Sequence, residues 1–266
     1  MDDRTKEILQ KIEEAEYVLV GLGQEFDMEN LLEANPEYGK VREQLQKNNA
    51  LWLLPYVEEQ FRIQYLNKME EEIRQGLNNL ASVLEKKSYF VVSSSTSPIP
   101  TQIPWKKMLL KKERYVSPCG DFRKKQCPDG CEEEITEVTE TDRENLQHCY
   151  EELRAGKFLT PNLGKCPKCG KNMILNNVYA AKYDEKGYLE NWTTYQTWLQ
   201  NTLNHKMVLL EIGEGNRFPS IIKNPFQRIA LFQQVCIALM GNKIPLPGCL
   251  ACVKLNLLVI CEKSEE

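Results

Sequence analysis

Four cysteines of the chain are grouped as two close pairs. Cys127 and Cys131 are separated by three residues, and Cys166 and Cys169 are separated by two. Paired thiolates at such spacings are typical of tetrahedral zinc sites. Gly170 directly follows the second pair and lets the backbone curl so that N–H groups face the sulfurs. We predict that these four cysteines hold a structural zinc ion; the alternative is that they are reduced thiols in the core.

The other cysteines are weaker metal candidates. Cys249 and Cys252 have a suitable spacing, but they precede an apolar run and have no second pair nearby. We expect Cys149, Cys236 and Cys261 to pack as small apolar side chains.

Three short segments rich in glycine or serine each follow an apolar run. They are Gly21-Leu22-Gly23 after Tyr17–Val20, Ser93–Ser97 after Tyr89–Val92, and Gly213-Glu214-Gly215 after Met207–Ile212. Open α/β sheets bind ligands at the carboxyl ends of their strands, where glycine allows close approach to a phosphate. The dinucleotide fingerprint is incomplete because Phe26 stands at its third glycine. For the serine segment, a solvated connection is an equally good interpretation.

The composition indicates a soluble globular protein. The chain has 266 residues, of which 42% are hydrophobic and 27% charged, with a net charge of −4. No apolar leader or run of about 20 apolar residues is present, so we expect a cytoplasmic protein without membrane contact. The acidic balance argues against general nucleic-acid binding. A local basic group is better explained as a solvated face; it comprises Lys106, Lys107, Lys111, Lys112 and Arg114.

The apolar periodicity predicts the remaining elements. Helices are expected over 3–15, 27–86, Asp142–Ala155, Tyr195–Leu203 and Phe226–Met240, and further extended segments over Arg114–Ser117 and Cys252–Leu257.

The order of these elements predicts an α/β fold. We expect a doubly wound, mostly parallel Rossmann-like sheet formed by residues 1–115 and 176–266, with a helical insertion at about 27–86. The zinc-binding module, residues 116–175, interrupts it.

Several ordered segments resemble the sirtuins, and in particular the bacterial members associated with protein ADP-ribosylation. They are Val20-Gly21-Leu22-Gly23, Tyr89–Val92, Gln126-Cys127, Cys166-Pro-Lys-Cys169-Gly with Met173, and Leu209–Gly215 leading into Pro219–Phe226. The resemblance covers roughly residues 5 to 260. It implies NAD or ADP-ribose as ligand and a protein as substrate or partner. The residues placed around the nucleotide are Gly21, Gly23, Ser93, Ser95, Ser97, Gly213, Gly215, Asn216 and Asn256.

The chain departs from the sirtuin pattern at positions that matter for chemistry. The segment that contacts NAD in the family has no counterpart, since Gln24-Glu25-Phe26-Asp27 stands after the first glycine turn. Ser95 and Ser97 align with the family's Asn and Asp. Cys119 replaces the family's catalytic His, so Cys119 and Asp121 lie at an altered catalytic position; the two histidines, His148 and His205, lie elsewhere.

Three hypotheses follow. The chain is an NAD-dependent enzyme that transfers ADP-ribose rather than removing acyl groups; or it is an inactive sirtuin-like module that binds NAD, ADP-ribose or a partner protein. In the third hypothesis Cys119 is a nucleophile or base of an enzyme unrelated to NAD, with its pKa lowered by Arg123, Lys124 and Lys125. Against the third stands the interpretation that Cys119 is a small replacement residue without a chemical role.

Overall fold

The structure is a computed structural model that describes residues 3–105, 114–131, 134–215, 217–233, 236–241 and 256–260. The helices in these ranges are α1 Asp3–Glu14, α2 Glu29–Leu32, α3 Pro36–Lys47, α4 Leu54–Tyr65, α5 Asn67–Leu84, α6 Glu140–Arg154, α7 Lys186–Gln200 and α8 Lys223–Gln233. The strands are β1 Tyr17–Leu22, β2 Ser88–Ser93, β3 Tyr115–Val116, β4 Gly120–Gln126, β5 Thr136–Glu137, β6 Ile174–Asn177, β7 Met207–Ile212, β8 Cys236–Gly241 and β9 Asn256–Ile260. Short 3-10 helices span Gln24–Asp27, Leu51–Leu53 and Ile99–Gln102.

The larger sheet has the strand order β3-β2-β1-β7-β8-β9. All neighbouring strands pair in parallel except β8 and β9, which are antiparallel. The central strand β1 is almost continuously apolar and is buried from Val18 to Leu22, as expected for a parallel strand covered on both faces.

Helices cover both faces of this sheet. On one face, α1 and α5 pack through Ile12 and Leu84 against Val18 and Val20 of β1. On the other face, α7 and α8 contribute buried side chains such as Trp198 and Phe226 around Leu19 and Phe90. The predicted α/β class with a mostly parallel, doubly wound sheet is confirmed.

A smaller antiparallel sheet, in the order β5-β4-β6, carries the cysteine pairs at its ends. Helix α6 begins with a capping box, in which Thr139 and Asp142 each satisfy the other's backbone N–H. A third core joins this part of the chain to the helical insertion, since Leu45 and Phe61 of α3 and α4 share it with Leu146, Cys127 and Cys166. The domain boundaries given above remain a prediction.

One predicted helix is wrong in its second half. We expected a helix over Phe226–Met240, but α8 ends at Gln233 and Cys236–Gly241 form strand β8 beside β7. A short apolar run fits a buried strand as well as a buried helix, so periodicity does not distinguish them. The last predicted strand begins outside the described residues, and β9 starts at Asn256. None of the helices in the described ranges has the length and apolar character needed to cross a membrane.

Candidate functional site

Three strands of the larger sheet end at the same level. Leu22 of β1 pairs with Ser93 of β2 on one side and with Ile212 of β7 on the other. The segments that follow these strands therefore meet at one edge: Gly23–Asp27, Ser94–Ser97 and Gly213–Gly215. We call this region the carboxyl edge.

The two glycine turns of the carboxyl edge pack directly on each other. The backbone N–H of Glu25 donates to the carbonyl oxygen of Gly213 at 3.1 Å, and that of Gly23 donates to Ile212 at 2.8 Å. A Cβ atom on Gly23 would overlap the Gly213 carbonyl and the Glu214 backbone. Glycine is needed here because the two turns are in direct contact.

Gln24 connects all three segments of the edge. Its side-chain oxygen accepts a hydrogen bond from the backbone N–H of Arg217 at 3.0 Å. Its amide nitrogen lies 3.5 Å from both the Ser94 hydroxyl and a Glu214 carboxylate oxygen. The Ser94 hydroxyl in turn donates to Glu214 at 2.8 Å. A polar network thus fills the edge with the chain's own side chains.

Asp27 forms hydrogen bonds with the serine segment, Ser94–Ser97. Its Oδ1 accepts hydrogen bonds from the Ser95 hydroxyl at 2.6 Å and from the backbone N–H groups of Thr96 and Ser97, both at 2.9 Å. The side chain of Asp27 is fully buried. Its Oδ2 has no hydrogen-bond partner within the described ranges and lies 3.8 Å from Arg217.

Helix α4 places further buried charges behind Asp27. Arg62 is fully buried; it donates to the Asp27 carbonyl oxygen at 3.1 Å and pairs with Glu59 at 2.7 Å. Glu58, also fully buried, accepts a hydrogen bond from Tyr38 at 2.8 Å. Burial raises the pKa of Glu58 to about 7, and the nearby Asp27 carboxylate raises it as well. Burial likewise raises the pKa of Asp27, against the hydrogen bond from Ser95.

Two carboxyl groups at the rim of the edge also have raised pKa values. Burial raises the pKa of Glu25 to about 7. Burial raises the pKa of Glu214 to about 7 as well, although the hydrogen bond from Ser94 opposes the shift. Carboxyl groups with such values exchange protons near neutral pH, which is typical of functional sites.

Cys119 lies close to this edge but in surroundings that disfavour a thiolate. It is fully buried, and burial raises its pKa well above the ordinary range; the carboxylates of Asp27 and Glu214 add to the shift. The cations that we expected to lower this pKa are engaged elsewhere. Arg123 pairs with Asp121 at 2.8 Å, Lys124 donates to the Gly187 carbonyl and Lys125 pairs with Asp142. Asp121 is thus an ion-pair partner of Arg123.

The four predicted metal-ligating cysteines come together in space. The sulfur atoms of Cys127, Cys131, Cys166 and Cys169 all lie within 4.8 Å of one another. The Cys127 and Cys169 sulfurs are 3.6 Å apart, close to the spacing of about 3.8 Å that Zn–S bonds of about 2.3 Å give at tetrahedral angles. Burial opposes ionisation of Cys127, but hydrogen bonds from the backbone N–H groups of Cys131 and Asp129 and from the Cys166 and Cys131 side chains together lower its pKa to about 7. This donor set fits a tetrahedral metal ion.

Two features hold the pairs in position. Gly130 and Gly170 both adopt positive φ, of 69° and 72°, at the turn of each pair. Lys171 and Asp129 form an ion pair of 2.7 Å that joins the two turns.

No family model matches the chain. It is 23% identical over 180 residues to a protein ADP-ribosyltransferase of Staphylococcus aureus (strain Mu50 / ATCC 700699). The alignment covers 67% of this chain and 54% of that protein, so the chain spans about half the length of the curated relative.

Among solved structures, a Sir2 homologue mutant with ADP-ribose has a TM-score of 0.47 at 12% identity, covering 90% of this chain and 84% of the other. A Sir2 homolog with NAD has a TM-score of 0.46 at 13% identity, covering 92% and 84%. The chain is thus similar in sequence to a protein ADP-ribosyltransferase, and its resemblance to the sirtuins remains a prediction from the ordered sequence segments.

The structure brings together most of the residues predicted to line a nucleotide. Gly23, Gly213 and Gly215 lie in the turns of the carboxyl edge, and Ser93, Ser95 and Ser97 lie in or beside its serine segment. Gly21 lies within β1. A Cβ atom there would overlap the side chains of Ile222, which directly precedes α8, and of Phe226 in α8. Asn216 is outside the described residues, and of Asn256 only the backbone, in β9, is described. Their roles toward a nucleotide remain predictions.

Other residues named from the sequence lie away from the edge. Arg114 donates to the Lys87 carbonyl oxygen and stacks over Tyr89, while the lysines at 106–112 are outside the described residues. The pair Cys249 and Cys252 and the single Cys261 are also outside them, and of Cys236 only the backbone is described. Cys149 is buried and donates to the Leu159 carbonyl oxygen.

A separate polar cavity of about 230 Å³ opens beside the small sheet. Its lining includes Asp121, Arg123 and Asn176 from the small sheet and Tyr188 and Asn191 from α7. The three segments of the carboxyl edge contribute nothing to this lining, so the cavity is distinct from the edge.

Sequence reasoning missed the side chains that fill the edge. Gln24, Asp27, Glu214 and Arg217 were not singled out as site residues, although Gln24-Glu25-Phe26-Asp27 was recognised as a departure from the sirtuin pattern. The available signal was the short acidic side chain of Asp27 at this departure, together with a serine-rich segment elsewhere in the chain. Such a carboxylate can accept hydrogen bonds from the backbone N–H groups of a turn.

Proposed function

We propose that the chain is a sirtuin-like, NAD-dependent protein-modifying enzyme that transfers ADP-ribose to a protein. In this reaction the bond between ribose and nicotinamide breaks, nicotinamide leaves, and a protein side chain takes the ribose carbon and gives up a proton. The observation that carries the proposal is the carboxyl edge, where β1, β2 and β7 end together beside two carboxyl groups whose pKa is about 7. The ADP-ribosyltransferase relative supports it.

Deacylation is the weaker choice within the same proposal. It requires a base at the position of Cys119, and a fully buried thiol with a strongly raised pKa does not serve as one. Glu214 is the better candidate for accepting a proton at neutral pH, because it lies at the edge and exchanges its proton near pH 7.

A structural zinc ion is part of the proposal. Its ligands are Cys127, Cys131, Cys166 and Cys169, all provided as thiolates, which suits zinc and closes the coordination shell. With no open position, the ion would hold the two turns of the module together and take no part in transfer.

A second candidate function is a module that binds ADP-ribose, NAD or a partner protein without catalysis. It is favoured by the packing of Gly23 on Gly213 and by the position of Asp27, which together leave the serine segment engaged with the chain itself.

One set of measurements tests both candidates. The zinc-loaded chain is incubated with NAD, and free nicotinamide and the mass of added proteins are followed; titration calorimetry with NAD and ADP-ribose runs in parallel. Nicotinamide release with a gain of ADP-ribose on protein supports transfer. Ligand heat without release supports the binding module, and neither signal rejects both nucleotide functions.

A variant pair adds a test of Glu214. We expect Glu214→Gln to lower the rate of transfer, by roughly 100- to 10,000-fold if this carboxylate is the base. Glu144→Gln is the matched control, because it removes the charge of an exposed glutamate in α6, outside the carboxyl edge; it should leave the rate unchanged.

A further inference from the structure

The serine segment after β2 has the geometry of an anion-binding site. Two consecutive backbone N–H groups, those of Thr96 and Ser97, and the hydroxyl of Ser95 converge on one oxygen atom. Successive N–H groups aimed at one point form a concave site for phosphate or carboxylate. The segment is almost completely buried, so these donors need an acceptor inside the protein.

The acceptor is the chain's own Asp27 carboxylate. Only one of its oxygens, Oδ1, is used by the segment; Oδ2 is buried without a hydrogen-bond partner within the described ranges. The hydroxyl oxygen of Thr96 is likewise buried and unpaired there. An incompletely satisfied buried carboxylate costs free energy, so this contact is less favourable than its short distances suggest.

A cation lies on the opposite side of the same carboxylate. Arg217 reaches Asp27 Oδ2 at 3.8 Å, forms an ion pair with Glu29, and donates to the Tyr179 hydroxyl at 2.7 Å. Its side chain remains 26% exposed, so it connects the buried site to solvent. An anion that replaced the Asp27 carboxylate would meet the donors of the serine segment and this guanidinium together.

The surrounding charges would tolerate the departure of Asp27. Arg62 lies 2.7 Å from Glu59 and 4.0 Å from Glu58, so these two carboxyl groups would remain as its partners if the Asp27 carboxylate moved away. Three buried carboxyl groups around one fully buried arginine are in excess, and removal of one negative charge relieves their repulsion.

We propose that residues Ser95–Ser97 and Arg217 form a latent anion site that Asp27 occupies and closes in the free protein, and that a phosphorylated ligand binds by displacing the Asp27 carboxylate. The proposal deepens the proposed function and rests on it for the identity of the ligand group, the diphosphate of NAD or ADP-ribose. If the closed form accounts for about 90% of molecules, apparent affinity for the ligand falls by about tenfold.

The test compares Asp27→Ala and Asp27→Asn with the wild type and with Glu58→Gln. Glu58 is an apt control because it is equally buried and also near Arg62, but it does not touch the serine segment. Two quantities are measured: hydrogen exchange of the peptide spanning residues 93–98, and calorimetric affinity for ADP-ribose and for inorganic phosphate.

We expect exchange in the 93–98 peptide to be faster in both Asp27 variants than in the wild type and Glu58→Gln. Asp27→Ala should bind ADP-ribose at least about tenfold more tightly than the wild type, and the ligand should restore protection. Asp27→Asn keeps the shape but loses the charge, so it should shift both quantities in the same direction by less. It also serves if Asp27→Ala does not fold.

The outcomes separate this proposal from the function on which it rests. Binding of phosphate but not ADP-ribose by the variants would keep the latent anion site and reject the nucleotide function. Faster exchange with no gain in affinity for either ligand would overturn the latent site, as would unchanged exchange in a folded Asp27 variant. Nicotinamide release by the wild type is then judged independently.

Discussion

At the scale of single residues, the environment of Cys119 determines whether its thiol can react. A thiol at the predicted catalytic position looks reactive when only its basic neighbours in sequence, Arg123, Lys124 and Lys125, are considered. In the fold it is fully buried, and those cations face Asp121, Asp142 and a carbonyl oxygen instead. The structure therefore favours the interpretation that Cys119 is a packing residue.

Cys119 should resist alkylation. Because burial raises its pKa and hides its sulfur, we expect no labelling by iodoacetamide at neutral pH over a time in which an accessible thiol reacts completely. Peptide mass spectrometry of the zinc-loaded protein measures this, with the guanidinium-unfolded chain as the control in which Cys119 must label. Rapid native labelling would restore the thiol-based hypothesis.

Glu214 should make stability depend on pH. Its pKa is raised from 4.5 to about 7 by burial, so the folded state binds the proton more tightly than the unfolded state. The stabilisation is complete below about pH 4.5 and is lost as pH rises through about 7. Glu214→Gln should therefore raise Tm relative to the wild type at pH 8, by ~2 °C given partial screening, and much less at pH 5.

Calorimetry of the two proteins at both pH values checks this. Glu144→Gln changes an exposed glutamate and is the control; its Tm should match that of the wild type at each pH. An equal change in Tm at both pH values would mean that the carboxyl group of Glu214 is not protonated more readily in the folded state.

At the scale of elements, the turn after β1 is fixed by contact with the turn after β7. Gly23→Ala should destabilise the protein by about 1–3 kcal/mol, because the new methyl group overlaps the Gly213 backbone. Gly76→Ala is a suitable comparison, since it lies inside α5 with open space around it. That change should stabilise by about 1 kcal/mol through helix propensity. Urea unfolding of both variants provides the measurement, and a neutral Gly23→Ala would show that the turns separate easily.

Much of the element pattern was predictable because it depends on local sequence. The apolar runs Tyr17–Val20, Tyr89–Val92 and Met207–Ile212 predicted β1, β2 and β7, and the paired cysteines predicted a cluster that the structure brings together. The chemistry of the carboxyl edge was less accessible. Asp27 meets residues almost seventy positions later in the chain, and that encounter depends on strand order and register.

At the scale of the whole molecule, the cysteine cluster belongs to a core larger than its own sheet. Cys127 and Cys166 pack with side chains of α3, α4 and α6. Metal binding of about 10–16 kcal/mol in small zinc modules is comparable to the whole stability of a domain, about 5–15 kcal/mol. Loss of the metal should therefore loosen the helical insertion together with the module.

Cys166→Ser tests this coupling. We expect the variant to lose bound zinc and to exchange amide hydrogens faster in α3, α4 and residues 120–175, while β1 and β2 are less affected. Cys149→Ala is the matched control, because Cys149 is buried in the same core but is not part of the cluster. It should retain zinc, measured by atomic absorption. Unchanged exchange in the zinc-free variant would contradict a stabilising role for the metal.

The position of β1 also affects how the chain folds as it is made. This strand pairs with β2 on one side and with β7 on the other, and β7 comes much later in the sequence. At roughly 5–20 residues per second, a ribosome takes on the order of ten seconds to pass from β2 to β7. During that interval the nascent chain carries an apolar strand with one unpaired edge, a surface prone to association with other chains. The centre of the sheet closes only after β7 has been synthesised.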